Sequence, residues 1–366
     1  MTSPPASLLE IDLDAIASNW RFLAAKHSGA TAGVLKADGY GLGAAQVAAA
    51  LYAAGCRHFF TAHLSEALAI RRLVPDALVA VLHGILPGEA GVFAGERITP
   101  VLGSLADIAR WRAEAAVQGE TLPALLHVDT GMARTGLAPA EVDAVRDDAS
   151  LLNGIDVQIL MTHLVSAELP DEEINQLQLA RFVQAKTLFP TAQASLANSA
   201  GLFLGRDFTA DLARPGAALY GINPTPWTAN PMQPVVRLTA RVLQIREIGA
   251  GETVGYNGTW TARRPSRIAT VPVGYADGFL RNLSNNTWAT FGAAKLPLVG
   301  RVSMDLTTFD VTDAPEIEAG DALELIGPGH DADALAVEAG TNGYEILTSL
   351  GRRYQRLYNS KQAPLF

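Results

Sequence analysis

The sequence contains a single cysteine, Cys56, among its 366 residues. One thiol cannot form an internal disulfide bond, and a low cysteine content is typical of a reducing compartment. The chain also lacks an uninterrupted apolar run of about 18 residues, the length that a membrane-spanning helix requires. Its first residues, Met1–Pro5, are not a basic segment followed by an apolar one, as in a secretory leader. We therefore expect a cytoplasmic protein.

The sequence has no surplus of positive charge. Its formal net charge of −9 disfavours nucleic acid and anionic membranes as partners, and the dense basic run at 263–267 is short. Its seven histidines form no H-E-x-x-H or comparable cluster, so we expect no metal site. With 49% hydrophobic residues, a chain of this length can bury a large core, which we expect to be divided between two domains.

The first part of the chain alternates short apolar runs with segments of helical spacing, clearest at 105–118 and 172–188. The predicted strands are Ala32–Lys36, His58–Thr61, Leu78–His83, Ile98–Leu102, Ala124–Val128, Val157–His163, Ala192–Leu196 and Ala217–Tyr220. Eight strand–helix repeats within about 220 residues are typical of an α/β fold, the (β/α)8 TIM-like barrel, which we predict for residues 1–230. A doubly wound parallel sheet shows the same alternation and is the alternative.

The pattern changes at a proline-rich stretch, 223–234, which is typical of a linker. Beyond it, 238–245 and 267–273 alternate apolar with polar residues, as half-buried strands do. One helix is predicted near 334–350. Residues 231–366 are therefore predicted to form a mainly β C-terminal domain.

Residues able to perform chemistry lie at or just after the ends of predicted strands. They are Lys36, Asp129, Arg134, His163, Asn198, Ser199, Arg214 and Gly216. The C-terminal ends of barrel strands share one rim, where the active sites of such barrels lie. We interpret the set as one site, although His163 alone could be a core histidine and Ser199 alone a helix cap.

Lys36 stands between an apolar strand and a glycine-rich turn. A partly desolvated lysine can lose its charge and attack a carbonyl carbon. Ser199 and turn amides near Gly216 suit a phosphate dianion. Arg214 can donate a hydrogen bond to a ring nitrogen without giving up its proton, which limits the ring as an electron sink. An amine, a phosphate anchor and such a donor together indicate pyridoxal phosphate.

Short motifs along the chain closely resemble those of the alanine racemases, pyridoxal-phosphate enzymes of fold type III in which a barrel is followed by a β domain. The motifs occur in the family's order over essentially the whole chain: Val34–Gly41, Val128–Gly136, Thr162–His163, Ala197–Gly201, Arg214–Gly216, Val254–Tyr256, Gly274–Gly278, Gly300–Asp305 and Arg356–Tyr358. Each match is weak alone, but the combination is specific.

The resemblance implies racemisation of L-alanine to D-alanine and the reverse by two bases. Lys36 would hold the cofactor as a Schiff base and act on the D face of the substrate, whereas Tyr256 of the other subunit would act on the L face. A phenol titrates near about 10, so it needs help to act as a base; the resemblance assigns that help to His163 and Arg214. Since such a site takes residues from two chains, a homodimer is implied.

The resemblance also implies the contacts of cofactor and substrate. The expected cofactor-binding residues are Lys36, Tyr40, Arg134, His163, Asn198, Ser199, Arg214, Gly216, Ala217 and Tyr358. The expected substrate-binding residues are Arg134, Met304, Tyr275 and Asp305. Tyr275 and Met304 would come from the partner subunit, where Tyr275 would narrow the entrance so that side chains larger than a methyl group are penalised.

The chain departs from the family's pattern at three places. His127 stands seven residues before Arg134, where many members carry a carbamylated lysine. An imidazole forms no lasting carbamate, so we expect Arg134 to be held by a bound anion or by no charged neighbour. Ser303 replaces a frequent cysteine, which should matter little because the Met304 amide has the role. The Gly-Tyr-Asn-Gly motif around Tyr256 is unusual and leaves the orientation of its ring open.

Other functions stay open on the sequence. A pyridoxal-phosphate racemase of broader specificity, acting on serine or other amino acids, would share these motifs. A barrel decarboxylase would place a carboxylate rather than Arg214 at the ring nitrogen, and a non-catalytic carrier of the cofactor would end near residue 230. A dinucleotide site is disfavoured because the glycines of 39–43 read G-x-G-x-G. The sequence does not distinguish supply of D-alanine for cell-wall synthesis from degradation of alanine.

Overall fold

The computed structural model describes residues 5–360, and its first part alternates strands with helices. The strands are β1 Ser7–Asp12, β2 Ala30–Thr31, β3 Gly33–Val34, β4 His58–Thr61, β5 Leu78–Val81, β6 Thr99–Leu102, β7 Leu122–His127, β8 Ile155–Met161, β9 Gln193–Ser195 and β10 Leu212–Ala213. The helices are α1 Leu13–Ala24, α2 Lys36–Tyr40, α3 Ala44–Ala53, α4 Leu64–Arg71, α5 Ala90–Gly95, α6 Leu105–Gln118, α7 Pro139–Asp147, α8 Glu173–Lys186 and α9 Arg206–Thr209. Within the described range, no helix of the fold has both the length and the apolar character needed to cross a bilayer.

The parallel strands close into a barrel. Strands β3 to β9 pair in chain order, and β10 pairs in parallel with β2, which leads into β3 after Ala32. Backbone hydrogen bonds from Asp211 to Ala194 (3.0 Å) and from Arg214 to Ala197 (2.8 Å) join the β10 segment to the β9 segment. A doubly wound sheet keeps two free edges, so this closure confirms the predicted barrel and excludes the alternative.

The prediction of Ala217–Tyr220 as the eighth strand is wrong. The eighth strand is β10, and Ala217–Tyr220 forms a 3-10 helix. All four of its residues are buried, and a short buried run has no periodicity that separates strand from helix. With β10 as the strand, Arg214 and Gly216 lie just after a strand end, on the C-terminal rim of the barrel.

The second part is mainly β, as predicted. Its strands are β11 Val236–Arg241, β12 Gln244–Ile248, β13 Thr253–Val254, β14 Trp260–Thr261, β15 Ser266–Val271, β16 Trp288–Phe291, β17 Ala294–Pro297, β18 Thr307–Asp310, β19 Ala322–Ile326 and β20 Gln355–Asn359. Five of these strands join β1 in a six-stranded sheet of the order β17-β16-β19-β11-β1-β20. Strand β1 thus pairs with β11 and β20, so a segment that precedes the barrel in the chain lies in the sheet of the second part. The division at residues 230 and 231 stays a prediction.

The single helix expected near 334–350 is in fact two, α10 Ala332–Ala339 and α11 Gly343–Ser349. Gly340 adopts a φ of 70° at the end of α10, the left-handed conformation that commonly ends a helix. The side chain of Asn342 then accepts a hydrogen bond from the Glu345 amide and caps α11.

Helix α11 packs against the turn that follows β3. A Cβ atom on Gly41 would lie 2.4 Å from the carbonyl oxygen of Leu347, so the contact depends on the missing side chain. Arg356 of β20 donates a hydrogen bond of 2.7 Å to the carbonyl of Gly41. Residues of the second part therefore lie at the rim of the barrel.

Candidate active site

A cavity of about 820 Å³ opens at the C-terminal rim of the barrel. Its lining includes nine residues that the sequence predicts for the site: Lys36, Tyr40, Arg134, His163, Asn198, Ser199, Arg214, Gly216 and Ala217. Small-molecule pockets commonly enclose about 300–1,000 Å³. The ends of barrel strands far apart in sequence thus converge on one space of suitable size for a cofactor and a small substrate.

Lys36 follows β3 and begins α2, a short segment whose backbone is a left-handed turn rather than an ordinary α-helix. The next four residues, Ala37, Asp38, Gly39 and Tyr40, have φ angles of 55°, 54°, 64° and 54°. Left-handed backbone costs roughly 1–2 kcal/mol for each residue that has a side chain. The turn therefore depends on tertiary contacts for its stability.

Two carboxylates make those contacts. Glu66 accepts a hydrogen bond of 2.7 Å from the Ala37 amide. Asp38 accepts one of 2.9 Å from the amide of Ala44, at the start of α3. The turn is held at both ends, which fixes the backbone that carries the Lys36 side chain.

The amine of Lys36 is half-buried in the cavity. Burial lowers its pKa from the ordinary value of 10.5, the charge of Arg134 lowers it further, and the charge of Glu66 acts in the opposite direction. Its Nζ atom lies 6.0 Å from the centre of the Tyr40 ring. A lowered pKa increases the fraction of uncharged amine, which is the nucleophilic and basic form.

Tyr40, Ser199 and Gly216 form a polar cradle in the cavity wall. The amides of Gly216 and Ala218 donate hydrogen bonds of 3.0 and 3.2 Å to the Ser199 hydroxyl. A Cβ atom on Gly216 would lie 2.3 Å from the Tyr40 hydroxyl, so the phenol can approach only because residue 216 is glycine. Ala217 begins the 3-10 helix, and its amide therefore has no acceptor within that helix. Hydroxyls and a free amide at one point favour a phosphate group.

Arg214 is a buried cation held by uncharged groups. It is 5% exposed and donates hydrogen bonds to the Ser195 hydroxyl and the Thr162 carbonyl. Burial lowers its pKa to about 10, so the guanidinium stays charged at neutral pH. Throughout residues 5–360, Arg214 forms no ion pair with a carboxylate. Its other N–H groups can donate to an acceptor in the cavity.

His163 and His127 are neutral at physiological pH. Burial lowers the pKa of His163 to about 3, and the charges of Arg214 and Arg134 act in the same direction. Burial lowers the pKa of His127 to about 4, again with the charge of Arg214 as the next cause. A neutral imidazole has one donor and one acceptor nitrogen, so either ring can take part in a chain of hydrogen bonds.

Asp129 shapes the loop that carries Arg134. Its carboxylate accepts hydrogen bonds from the amides of Gly131, Met132 and Ala133 at 2.9, 2.8 and 2.8 Å. Asp129 is absent from the cavity lining, whereas Arg134 is part of it. Asp129 therefore lies near the rim because it holds the loop that carries Arg134, and its own side chain does not line the cavity.

Three predicted residues lie on the surface of the second part and do not line the cavity. The side chains of Tyr256, Tyr275 and Met304 are 66%, 42% and 54% exposed. The segments of Tyr275 and Met304 lie side by side, because the Ala276 amide donates a hydrogen bond of 3.0 Å to the Met304 carbonyl. Two large apolar or aromatic residues are thus presented outward from adjacent loops.

Arg353 connects these two loops. It donates hydrogen bonds of 2.6 and 2.8 Å to the carboxylate of Asp277 and one of 2.7 Å to that of Asp305. Asp277 is buried and also accepts a hydrogen bond of 2.9 Å from the Gly274 amide. Asp305 is therefore paired within its own chain.

Tyr358 and Tyr344 occupy unexpected places. Tyr358 is absent from the cavity lining, and its hydroxyl lies against Gly43, where a Cβ atom would be 2.4 Å from it. Tyr344 of α11 lines the cavity instead, edge-on to Tyr40 with 6.3 Å between the ring centres. Sequence reasoning missed Tyr344 because only the docking of α11 places it at the rim. It also missed Glu66, whose third position in α4 is typical of an ordinary helix cap.

Both parts of the chain match a known family. The family models described as "Alanine racemase, N-terminal domain" and "Alanine racemase, C-terminal domain" match residues 11–224 and 235–358. The chain is 58% identical to the alanine racemase of Acidiphilium cryptum, covering 96% of this chain and 98% of that one. It is 47% identical to the catabolic alanine racemase of Agrobacterium fabrum, covering 96% and 91%. The crystal structure of alanine racemase from Bartonella henselae with covalently bound pyridoxal phosphate superposes with a TM-score of 0.94 at 40% identity, over 97% of this chain and 100% of that chain.

The two neutral histidines predict a specific response to acid. In histidine NMR spectra recorded from pH 8 down to pH 5, the rings assigned through the variants His127→Gln and His163→Gln should stay neutral. The unfolded chain binds protons near the ordinary value of 6.5, so the free energy of unfolding should fall as pH decreases below 6.5 towards about 4. His127→Gln removes one of these groups and should flatten that slope. Rings that titrate near pH 6.5 in the folded protein would contradict the prediction.

Proposed function

The chain belongs to the alanine racemase family, and on this premise we propose that it interconverts L-alanine and D-alanine with pyridoxal 5'-phosphate as its cofactor. One observation carries the proposal. The half-buried amine of Lys36 and the buried cation of Arg214 line the same cavity as the cradle of Tyr40, Ser199 and Gly216. An amine with a lowered pKa, a ring-nitrogen donor and a phosphate anchor are the groups that this cofactor requires.

The residues of the cavity fit the cofactor. The hydroxyls of Tyr40 and Ser199 and the amides of Gly216 and Ala217 would hold its phosphate, and Arg214 would donate a hydrogen bond to its ring nitrogen. A buried cation without a carboxylate partner is costly unless an acceptor satisfies it, which supports this assignment. When bound, pyridoxal phosphate supplies the electron withdrawal that acidifies the proton on the amino acid's Cα atom.

Racemisation requires a proton to leave one face of Cα and another to arrive on the opposite face. We assign the D face to the Lys36 amine, whose pKa is lowered by burial, and the L face to the Tyr256 phenol of the partner subunit. Neutral His163 would pass a hydrogen bond between that phenol and Arg214. Because a guanidinium keeps its proton at neutral pH, Arg214 orients the ring without protonating it.

Arg134 would contact the cofactor's phenolate and the substrate's carboxylate. In residues 5–360 it forms no ion pair, and its neighbour His127 is neutral, with a pKa of about 4. No carbamylated lysine can stand at position 127 of this chain. We propose that the anions of cofactor and substrate order the Arg134 side chain.

We assign to Tyr344 the contact with the cofactor that the sequence predicts for Tyr358. Both tyrosines come from the second part of the chain, but only Tyr344 lines the cavity, next to Tyr40. His163 and Asn198 complete the proposed cofactor contacts; Asn198 accepts a hydrogen bond of 2.8 Å from the Gly201 amide, which shapes the turn beside Ser199.

The substrate contacts are proposed to include two residues of a second subunit. The Met304 amide would hold the substrate carboxylate, and Tyr275 would narrow the entrance so that alanine is preferred over larger amino acids. Asp305, which pairs with Arg353, would support the Met304 loop rather than contact the substrate.

We propose a homodimer in which each site takes residues from both chains. The exposed side chains of Tyr256, Tyr275, Met304 and Leu306 support this, since exposed large apolar and aromatic residues are typical of interfaces. The buried free thiol of Cys56 is compatible with the expected cytoplasmic location.

Mixing two inactive variants tests the shared site. Lys36→Ala and Tyr256→Phe should each lose racemase activity. A hybrid dimer has one site with both groups intact, so a 1:1 mixture after subunit exchange should recover about one quarter of the parent activity. The control is each variant alone, taken through the same exchange procedure at the same total concentration. No recovery, with hybrid formation verified by native mass spectrometry, would refute a site built from two chains.

The assignment of faces is tested by hydrogen exchange. With the Tyr256→Phe variant in deuterated water, exchange of the α-proton should be lost for L-alanine and retained for D-alanine, as measured by mass spectrometry, because only the Lys36 face would keep its base. Lys36→Ala should lose both, since it also loses the bond to the cofactor. Exchange of L-alanine by Tyr256→Phe at the parent rate would disprove the role of Tyr256.

Tyr344 and Tyr358 predict effects of different size on cofactor affinity. Tyr344→Phe removes a hydroxyl at the cavity, and we expect the dissociation constant of pyridoxal phosphate to rise about tenfold, in line with the loss of one hydrogen bond to a charged group. Tyr358→Phe is the matched control and should change it less than about twofold. Titration of cofactor-free protein by absorbance measures both, and the reverse order would restore Tyr358 as the phosphate contact.

A further inference from the structure

Three helices of the barrel have the same hydrogen-bonding arrangement in their first turn. Glu66, Asp107 and Glu141 are each the third residue of their helix, α4, α6 and α7. Each carboxylate accepts a hydrogen bond from at least one backbone amide just before its own helix. It also accepts one from a backbone amide of an earlier strand–helix unit. The bonds to the earlier units come from Ala37 to Glu66 at 2.7 Å, from Ile85 to Asp107 at 3.4 Å and from Leu105 to Glu141 at 3.1 Å.

Glu66 differs from the other two because its earlier unit is the one that carries Lys36. Its Oε1 atom accepts the bond from Ala37, and its Oε2 atom accepts bonds of 2.8 and 3.1 Å from the amides of Ala62 and His63. A single carboxylate therefore ties the residue after Lys36 to the end of the neighbouring strand, β4. Ala37 is one of the left-handed residues, with a φ of 55°, so the bond stabilises backbone that is unfavourable by itself.

We propose that Glu66 is a positioning residue for Lys36, which holds the lysine's backbone against β4 and places a negative charge at the residue next to it. The role goes beyond a helix cap, because the bond to Ala37 acts on a different strand. It rests on the proposed catalytic role of Lys36 but concerns a property of the amine that is measurable without catalysis.

The charges around Lys36 make this single carboxylate important. Arg134, His83 and His163 face the same amine, and Arg134 lowers its pKa, as does burial. Glu66 is the group that acts in the opposite direction. Without it, burial and the charge of Arg134 would both disfavour the protonated amine, and that form would be less stable.

The experiment compares Glu66→Gln with Glu141→Gln. Both variants lose a charged acceptor that joins two strand–helix units, but Glu141 serves units that do not carry Lys36. The pKa of the Lys36 amine is measured in the cofactor-free full-length chain by trace labelling with acetic anhydride over a range of pH, with mass spectrometry of the Lys36 peptide. The pH profile of kcat and the KM for alanine are measured on each holoenzyme, and thermal unfolding reports on folding.

We expect the labelling curve of Lys36 in Glu66→Gln to move to lower pH by about 0.5 to 1 unit, because loss of a neighbouring negative charge favours the uncharged amine. Its kcat should fall about tenfold or more through misplacement of the amine, with the KM for alanine changed less than about threefold. Glu141→Gln should keep the parent curve and kcat. Curves that coincide in all three proteins, or that move equally in both variants, would overturn the proposal.

The variant Glu66→Asp distinguishes the effect of the carboxylate's charge from its effect on the position of Lys36. It also replaces Glu66→Gln in the experiment if that variant does not fold. It keeps the negative charge but is too short to reach Ala37, so its labelling curve should match the parent while its kcat stays lowered. A parent-like kcat in Glu66→Asp would overturn the positioning role. A parent enzyme without racemase activity but with the expected labelling shifts would refute the proposed function and leave the relation between Glu66 and Lys36 intact.

Discussion

The structure depends on positive charge that is gathered without carboxylate partners at the barrel rim. Lys36, Arg134 and Arg214 line one cavity, and none of them forms an ion pair within the described residues. Burial and mutual repulsion destabilise the charged form of the lysine and keep His127 and His163 neutral. Such a cavity favours a ligand that brings its own anions, and a phosphate with a carboxylate substrate meets that requirement.

Close approaches at glycines give the cavity its shape. The Tyr40 hydroxyl reaches the β10 strand end because Gly216 has no Cβ atom, and helix α11 reaches the turn after β3 because Gly41 has none. The first contact completes the polar cradle of Tyr40, Ser199 and Gly216, and the second brings Tyr344 to the same wall. These positions therefore control the shape of the cavity through packing: a methyl group at either one would collide with an atom less than 2.5 Å away.

The second part of the chain makes two contributions to the structure. Within its own chain it supports the barrel: β1 lies between β11 and β20, and α11 covers one side of the rim. It also presents Tyr256, Tyr275 and Met304 outward on a surface where Arg353 links two loops through Asp277 and Asp305. The buried carboxylate of Asp277 gives these loops a fixed base, as residues that reach into another chain's site would need.

The sequence by itself determined the strand–helix alternation of the first part, the mainly β second part and the set of polar residues at strand ends, because alternation and local motifs are properties of neighbouring residues. The closure of the alternating strands into a barrel was settled by the pairing of β10 with β2. From the same alternation and motifs, the sequence placed Lys36, Ser199 and Arg214 at one rim. It did not separate the strand β10 from the 3-10 helix at Ala217–Tyr220, since burial makes both uniformly apolar. Only the tertiary structure decided that Tyr344 rather than Tyr358 lines the cavity and that Glu66 bonds to Ala37. Those contacts join segments far apart in sequence, and which segments meet depends on the packing of whole elements rather than on any local pattern.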